Sequence, residues 1–545
     1  MNTNKYRTIF SAIIKQKTAL TVGGSEGDSS SSLMFRDGLN RLTIPATSVA
    51  GAFCETAMRL FPELEKAKKG DGFKDLRWEH LTGKRQYEIN SLTKKKIKKD
   101  IGDTISAFCF ENLHPIYEEN DKSQITEMRQ GVGIDAFTGT SADKSLFDFE
   151  IVPAGTKWKL FLEVDTSRTG VTGEYVASLV LNEWEKGYGW LGKNNTRGCG
   201  WFELNNICVI ELPLTEEALE KWPNSTKTFK DAFDDVKKLD FTKEIPFSEL
   251  VSNAKQYLAD KISKDWYYIK MSYSIEPGSS DGYGYDFLQS GGHAANADYS
   301  LEPNVLDSML VPISLKANKN EYLKGMELDK PFPMTYYYED GEYKPFLPGS
   351  TVKGAFRSII SRIKRGENKK KKIDNNGFWG ILDPNSKKKL ESRKFKMGDL
   401  EELFGIAIQR RRDENEKKED DICSSNILFS DAMLEKNSSF SLVQQEQHAE
   451  DEFCAGVYGT GKFDSTVLIK GKLCFDIIIE GKSRVEVTNN YKLISKTLDL
   501  AKKGWVPIGG GVFKGFGWLK WVLDKKQSGL RKIADDTLQS LEANL

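Results

Sequence analysis

The sequence predicts an α+β protein built from two copies of one domain, and three observations carry that expectation. IPATSVAGAF at residues 44–53 is answered by LPGSTVKGAF at 347–356, so that Ile44 falls on Leu347, Pro45 on Pro348 and Gly51-Ala52-Phe53 on Gly354-Ala355-Phe356. GYGWLGKNNTRGCGWFEL at 187–204 is answered by WVPIGGGVFKGFGWLKW at 505–521, with Gly192, Gly198, Gly200 and Trp201 on Gly509, Gly515, Gly517 and Trp518. Between them, the stretches 131–164 and 455–479 share a Gly/Thr-rich turn ahead of alternating apolar residues. Three blocks in one order mark a duplicated unit of roughly 250 residues, whereas a solenoid repeats every few tens.

Each copy opens on a strand. In the first it lies between Tyr6 and Val22; in the second Ile269, Met271, Tyr273 and Ile275 alternate as a strand should. This places the first domain at 1–250, a linker at 251–265 and the second domain at 266–545. The ten-residue blocks come next, each a turn leading into a helix. Val49, Ala52, Phe53, Ala57 and Leu60 recur at helical spacing in the first. In the second, Pro348 and Gly349 turn, Ser350 can cap, and Val352, Ala355, Phe356, Ile359, Ile360 and Ile363 follow. Small residues at a helix start expose backbone N–H groups that can receive a phosphate. Lys353 and Arg357 would strengthen such a site in copy two, while Ala50 and Glu55 weaken it in copy one. The late blocks are glycine-rich and basic, with Lys193, Arg197 and Trp201 in one and Lys514, Phe516 and Trp518 in the other. Glycines let such a loop lie against a nucleic-acid backbone; a hairpin with a packed Trp is the plain alternative.

Composition narrows the chemistry. A chain of 545 residues, 39% of them apolar, exceeds one core and suits two. No run approaches the roughly 18 apolar residues of a spanning helix, and MNTNKYRTIFSAIIKQK lacks a signal-peptide core, so the expectation is a cytoplasmic protein without a membrane role. Seven scattered cysteines without a C-x-x-C pair support neither a disulfide framework nor a zinc knuckle, and four histidines leave catalysis to carboxylates. Lys plus Arg equals Asp plus Glu at 79 each, so any nucleic-acid surface is a local basic stripe.

A strand, a loop, LPGSTVKGAFR at 347–357 opening a helix, and GGGVFKGFGW at 509–518 together resemble the RAMP superfamily of CRISPR systems. FRDGLNRLTIPATSVAGAF at 35–53 and RQGVGIDAFTGTSADKSLFDFEIVPAGT at 129–156 look like backbone subunits of type III effectors, particularly the fused, multi-domain forms of subtype III-D. The likeness covers both halves; segments 62–105, 280–330 and 364–422 lie outside it and look like insertions.

The resemblance implies a modified RRM-like (ferredoxin-like) fold in each copy, with a protruding thumb hairpin at about 131–150 and at 455–467. It implies a subunit that grips a CRISPR guide RNA, pairs it with a complementary target RNA, and neighbours further backbone subunits and a large signalling subunit. On this chain the grip would use Ser48, Arg129, Lys193 and Arg197 in copy one, and Ser350, Lys353, Arg357, Lys462 and Lys514 in copy two. In the family an aspartate after the first strand cuts target RNA with Mg2+ or Mn2+, bound only with the target in place; such an aspartate can act on the 2′-hydroxyl and hold a hydrated metal. The position where relatives carry it is Ser31 here. Asp28, three residues earlier, becomes the leading catalytic and metal-binding candidate, and Asp37 the runner-up, more a structural residue of the turn. Copy two has Met334 at the corresponding place, leaving Asp286 and Asp298 of the long insertion as candidates. Two alternatives stand beside target cleavage: a guide-binding scaffold without catalysis, and a repeat-RNA processing endonuclease, against which the scarcity of histidine argues.

Overall fold

The computed structural model describes residues 6–26, 32–64, 76–83, 87–89, 96–98, 105–116, 126–134, 141–213, 237, 242–276, 335–337, 343–367, 399–408, 421–450, 457–509, 517 and 519–541. Copy one runs β1 (Tyr6–Gln16), α1 (Ala46–Leu60), β2 (Phe108–Phe110), β3 (Glu127–Ile134), β4 (Ser141–Ile151), β5 (Lys157–Asp165), α2 (Thr166–Glu185), β6 (Phe202–Pro213) and α3 (Phe247–Tyr257). Copy two repeats the order with β7 (Tyr267–Glu276), α4 (Gly349–Glu367), β8 (Ile427–Ser430), β9 (Ser441–Glu450), β10 (Val457–Lys470), β11 (Leu473–Gly481), α5 (Arg484–Lys502) and β12 (Lys520–Lys532).

The central strands pair as β6-β1-β5-β2 in one sheet and β12-β7-β11-β8 in the other, every neighbour antiparallel. Last strand beside first, third beside first and second at the edge is the ferredoxin-like, RRM-like order of a β-α-β-β-α-β unit. The expected fold is therefore present twice. Even minor pairings recur: Ile44 bridges Leu113 where Leu347 pairs with Ala432.

Helix α1 forms because Val49, Phe53, Ala57 and Leu60, at helical spacing behind Pro45, are all fully buried, and it stops where Phe61 precedes Pro62. Phe53 meets the rings of Phe108 and Phe110 at 5.4 and 5.3 Å, while its counterpart Phe356 meets Phe429 at 5.5 Å and Trp521 at 5.6 Å. Burying each such ring stabilises the helix-on-sheet packing by about 1.5–3 kcal/mol.

Both thumbs are hairpins: β3 pairs with β4, and β9 with β10. The second reaches further than expected, because β9 precedes the 455–467 stretch. The first is anchored at its foot by Glu150, whose carboxylate takes two N–H bonds from Arg36, one at 2.9 Å, and a third from the Met34 amide at 2.8 Å.

Part of the spans read as insertions belongs to the repeat. Short helices Trp78–Thr82 and Asp399–Phe404 stand at equivalent places, with Ser106 Oγ donating to Leu81 O at 2.8 Å and Ser425 Oγ to Leu403 O at 3.0 Å. The 251–265 stretch expected to link the copies carries the end of α3, whose Leu250, Val251 and Ala254, with Leu258, join the first core.

The copies meet along one seam. On β7 and β11, Ile269, Met271, Ile477 and Ile479 face copy two's own helices, while the alternate residues Tyr268 and Ile478, with Leu428 and Ile533, belong to the core of copy one. Of the sheet face that an RRM-like domain usually leaves for RNA, the end around Tyr268, Leu428 and Ile478 is thus covered in copy two by copy one, while Val522 towards the other end is exposed. Among the described residues three buried ion pairs cross the seam, beside the more exposed contacts of Lys186 and Lys255 with Asp536. Glu183 of α2 receives both Arg531 N–H bonds at 2.7 Å, Arg59 of α1 reaches Glu480 at 3.2 Å between the rings of Trp190 and Trp266, and Arg129 of β3 reaches Asp431 at 3.0 Å.

Candidate nucleic-acid interface

The glycine-rich block of copy one builds the first half of the interface. Gly192 and Gly200 have φ of 77° and 75°, and a Cβ on either would lie 2.2 Å from Thr21 O or 1.9 Å from Leu191 O, so only glycine fits. Trp190 and Trp201 meet edge to face beneath the loop, and the Trp201 amide donates to Thr18 Oγ1 at 3.1 Å. The base recurs in copy two, where Ile508 N–H donates to Gly517 O at 3.0 Å as Leu191 N–H does to Gly200 O. A rigid loop results, with Lys193 and Arg197 exposed on it. Lys193 folds over the backbone of Gly23, at the foot of the segment that leads to Asp28.

The same block docks on copy two. Arg197 and Gly198 pair with Phe429 and Ser430 of β8, and Gly198, at φ 108°, sits so close to Gly349 that a Cβ there would be 2.9 Å from its nitrogen and 2.0 Å from Asp431 Oδ1. The start of α4 thereby faces Arg197.

Each helix start has its own acceptor. Ala46 N–H donates to Asn112 Oδ1 and Gly349 N–H to Asp431 Oδ1, both at 2.8 Å. Phe110 stands opposite Leu162 and Phe429 opposite Ile477, so Asn112 and Asp431 occupy one position of the duplicated fold. The FENL and FSDA phrases at 110–113 and 429–432 are the signal by which the sequence could have shown this pair.

This arrangement bears on three expectations. Arg129, expected to hold RNA, is buried instead, its guanidinium on Asp431 and 4.8 Å from the Phe346 ring. At the second helix start, expected to expose backbone N–H groups to a phosphate, the first N–H already holds the Asp431 carboxylate, so an RNA phosphate would have to sit further along the helix. Lys353 is also buried, its ammonium donating to Ser425 Oγ at 2.7 Å and Ile427 O at 3.3 Å. Burial, with Arg197 and Arg357 beside it, pulls Lys353 down to about 7. Arg197 from one copy and Lys353 and Arg357 from the other thus form one cationic cluster at the seam.

Ser350 and Arg357 are exposed on α4 as expected; Ser48 is half-buried in the first turn of α1. The exposed counterpart of Ser350 in the repeat is Thr47, which the sequence reading missed. Asp37 is a turn residue: its carboxylate accepts from the Leu39 and Arg41 amides, each at 2.9 Å, and from Arg41 Nε at 2.7 Å, and these bonds hold it below the usual carboxylate range. Oxygens so engaged do not suit a hydrated magnesium ion. Lys462 lies on β10 opposite His448. Asp28, Asp286, Asp298 and Lys514 lie outside the described residues. Among the described residues no helix is long and apolar enough to cross a membrane.

A family model of the RAMP superfamily matches residues 14–203 and again 332–520. The chain belongs to the RAMP superfamily. The two matches together cover most of the chain and fall one on each copy; β7 precedes the second match, and the shared sheet order assigns it to copy two. Membership makes this a CRISPR-associated, RNA-binding subunit with two RAMP domains. No curated protein matches the chain.

Proposed function

We propose that this RAMP protein is a tandem backbone subunit of a type III effector of the III-D kind, holding guide RNA along the helix-start side of its two domains and presenting it to a complementary target. The observation that carries this reading is the pair of exposed arginines, Arg197 of copy one and Arg357 of α4, brought to one surface where Arg197 and Gly198 dock on β8 and Gly198 meets Gly349 at the start of α4. With part of the sheet face occupied by copy one, phosphate recognition at the helices suits that copy, and sequence is read by base pairing. Further backbone subunits are the natural neighbours. Copy two repeats the hairpin base that copy one docks on α4, and copy one repeats the helix start, so the same contact can be made again end to end.

In this reading Asp28 directs metal-dependent cleavage of the target, the metal being Mg2+ or Mn2+, and the complex also contains a large signalling subunit. The test is cleavage of a guide-complementary, end-labelled RNA by the reconstituted complex with magnesium, wild type against Asp28→Ala. Loss of one product with the others intact supports the assignment; an unchanged ladder removes it. A scaffold without cleavage is the second reading, favoured by Asp37 being tied into its own turn. It expects no magnesium-dependent product at all.

A further inference from the structure

Gly51 and Gly354 are the sixth residues of α1 and α4, both inside the helix and both exposed. Glycine in a helix interior is destabilising relative to alanine, so an intramolecular reason for it should be visible. At Gly192, Gly198, Gly200, Gly349 and Gly517 such a reason exists, since an added Cβ would meet a neighbouring atom at under 3 Å. At Gly51 and Gly354 an added Cβ meets nothing within 4 Å among the described residues. No described neighbour asks for glycine at either place, yet both copies have it.

The surroundings indicate what does. On the surface of α4, Ser350 precedes Gly354 by one turn and Arg357 follows it by one, both exposed, and the neighbouring Lys353 lies under the combined influence of Arg357 and of Arg197 from copy one. On α1, Thr47 takes the place of Ser350, and the Glu55 charge one turn beyond Gly51 is engaged by Arg59 at 2.8 Å. Bare helix backbone beside cations is a surface on which a phosphodiester can come nearer than any side chain would let it.

We propose that Gly354, and by the repeat Gly51, are close-approach points where the sugar–phosphate backbone of RNA lies directly on the helix. The inference rests on the reading of this surface as the RNA grip. At Gly354 the missing side chain sets the distance between phosphate and the guanidinium groups of Arg197 and Arg357. A methyl group would push the phosphate outward by more than ~1 Å, enough to break charge-assisted contacts that need roughly 2.7–2.9 Å.

The experiment measures binding of a fluorescein-labelled single-stranded RNA to the full chain by anisotropy, alongside the thermal midpoint, for wild type, Gly51→Ala, Gly354→Ala, Arg197→Ala and Arg357→Ala. The expected result is opposite signs. Gly354→Ala loses about tenfold or more in affinity and Gly51→Ala less, since α1 has no such cations of its own, while each midpoint stays level or rises. A structural glycine would lower the midpoint instead, which overturns the proposal. Unchanged affinity in the glycine variants, with both arginine variants weakened, overturns it too and leaves the RNA grip standing. If none of the four changes affinity, the grip itself is misplaced and the proposal falls with it.

Discussion

Replacing Asp431 tests the seam most directly, because that carboxylate has two duties in two copies. Its Oδ1 takes the first N–H of α4 and its Oδ2 takes Arg129 from the foot of the first thumb, with 1% of the Asp431 side chain and 5% of the Arg129 side chain exposed. Asp431→Ala leaves a buried guanidinium uncompensated, a cost of about 3–5 kcal/mol, and strips the helix amide of its acceptor, about 1 kcal/mol more. Asp431→Asn keeps the amide acceptor, as Asn112 does in copy one, but not the charge, so it should cost about 3 kcal/mol. Combining it with Arg129→Met removes both charges and keeps the cap. The double variant should then recover most of the loss, with a coupling energy above about 2 kcal/mol. Urea denaturation of wild type, Asp431→Asn, Arg129→Met and the double variant, followed by tryptophan fluorescence, gives the cycle. A coupling below about 0.5 kcal/mol would mean that the two side chains act independently, and the account of the seam given above would be wrong.

Gly198→Ala should destabilise the chain by about 2–3 kcal/mol, since its Cβ would strike Asp431 at a φ of 108°; a denaturation midpoint equal to wild type would contradict the docking of the two copies. Lys353 predicts a pH dependence of stability. Its folded value of about 7 lies below the unfolded value near 10.5, so the unfolded chain holds the proton over that window and stability rises with pH across it. Relative to Lys353→Met, wild type should gain up to about 1.4 kcal/mol per pH unit above pH 7, and parallel stability curves would show that the lysine is not desolvated. For RNA, Arg197→Ala should flatten the slope of log affinity against log salt by about 0.7, the loss of one phosphate contact on a single strand; anisotropy titrations at several salt concentrations measure it.

The duplication, the strand that opens copy two and the helix behind each ten-residue block were legible because each depends on local residues: alternation, helical spacing, or a φ that only glycine accepts. Gly192 and Gly200 carry their geometry in their identity. Arg129 and Asp431 do not. They stand 302 positions apart, each looks like a surface charge in its own neighbourhood, and only the packing of one copy on the other buries them. Lys353 misled for the same reason, since the helical spacing that put it near Arg357 gave no sign that Ser425 and Ile427 would close over it. The short helices at 78–82 and 399–404 escaped because they share almost no residues, although the serine bonds that hold them are the same.

The seam also explains what joining the copies accomplishes. Tyr268, Leu428, Ile478 and Ile533 supply apolar area to the core of copy one, and that burial is what holds the copies together. Buried ion pairs add little net stability over well-packed apolar residues, but any other docking angle would leave Arg129, Arg531 or Glu480 buried without its partner, at several kcal/mol each. The three pairs therefore select one orientation among those the apolar contact would tolerate. In that orientation Arg197 of copy one stands beside Lys353 of copy two, whereas Ala50 and Cys54 leave the first helix without cations of its own at the equivalent positions. In the head-to-tail series proposed above, a first helix without those charges would take one from the preceding unit, as the second takes Arg197 from the first.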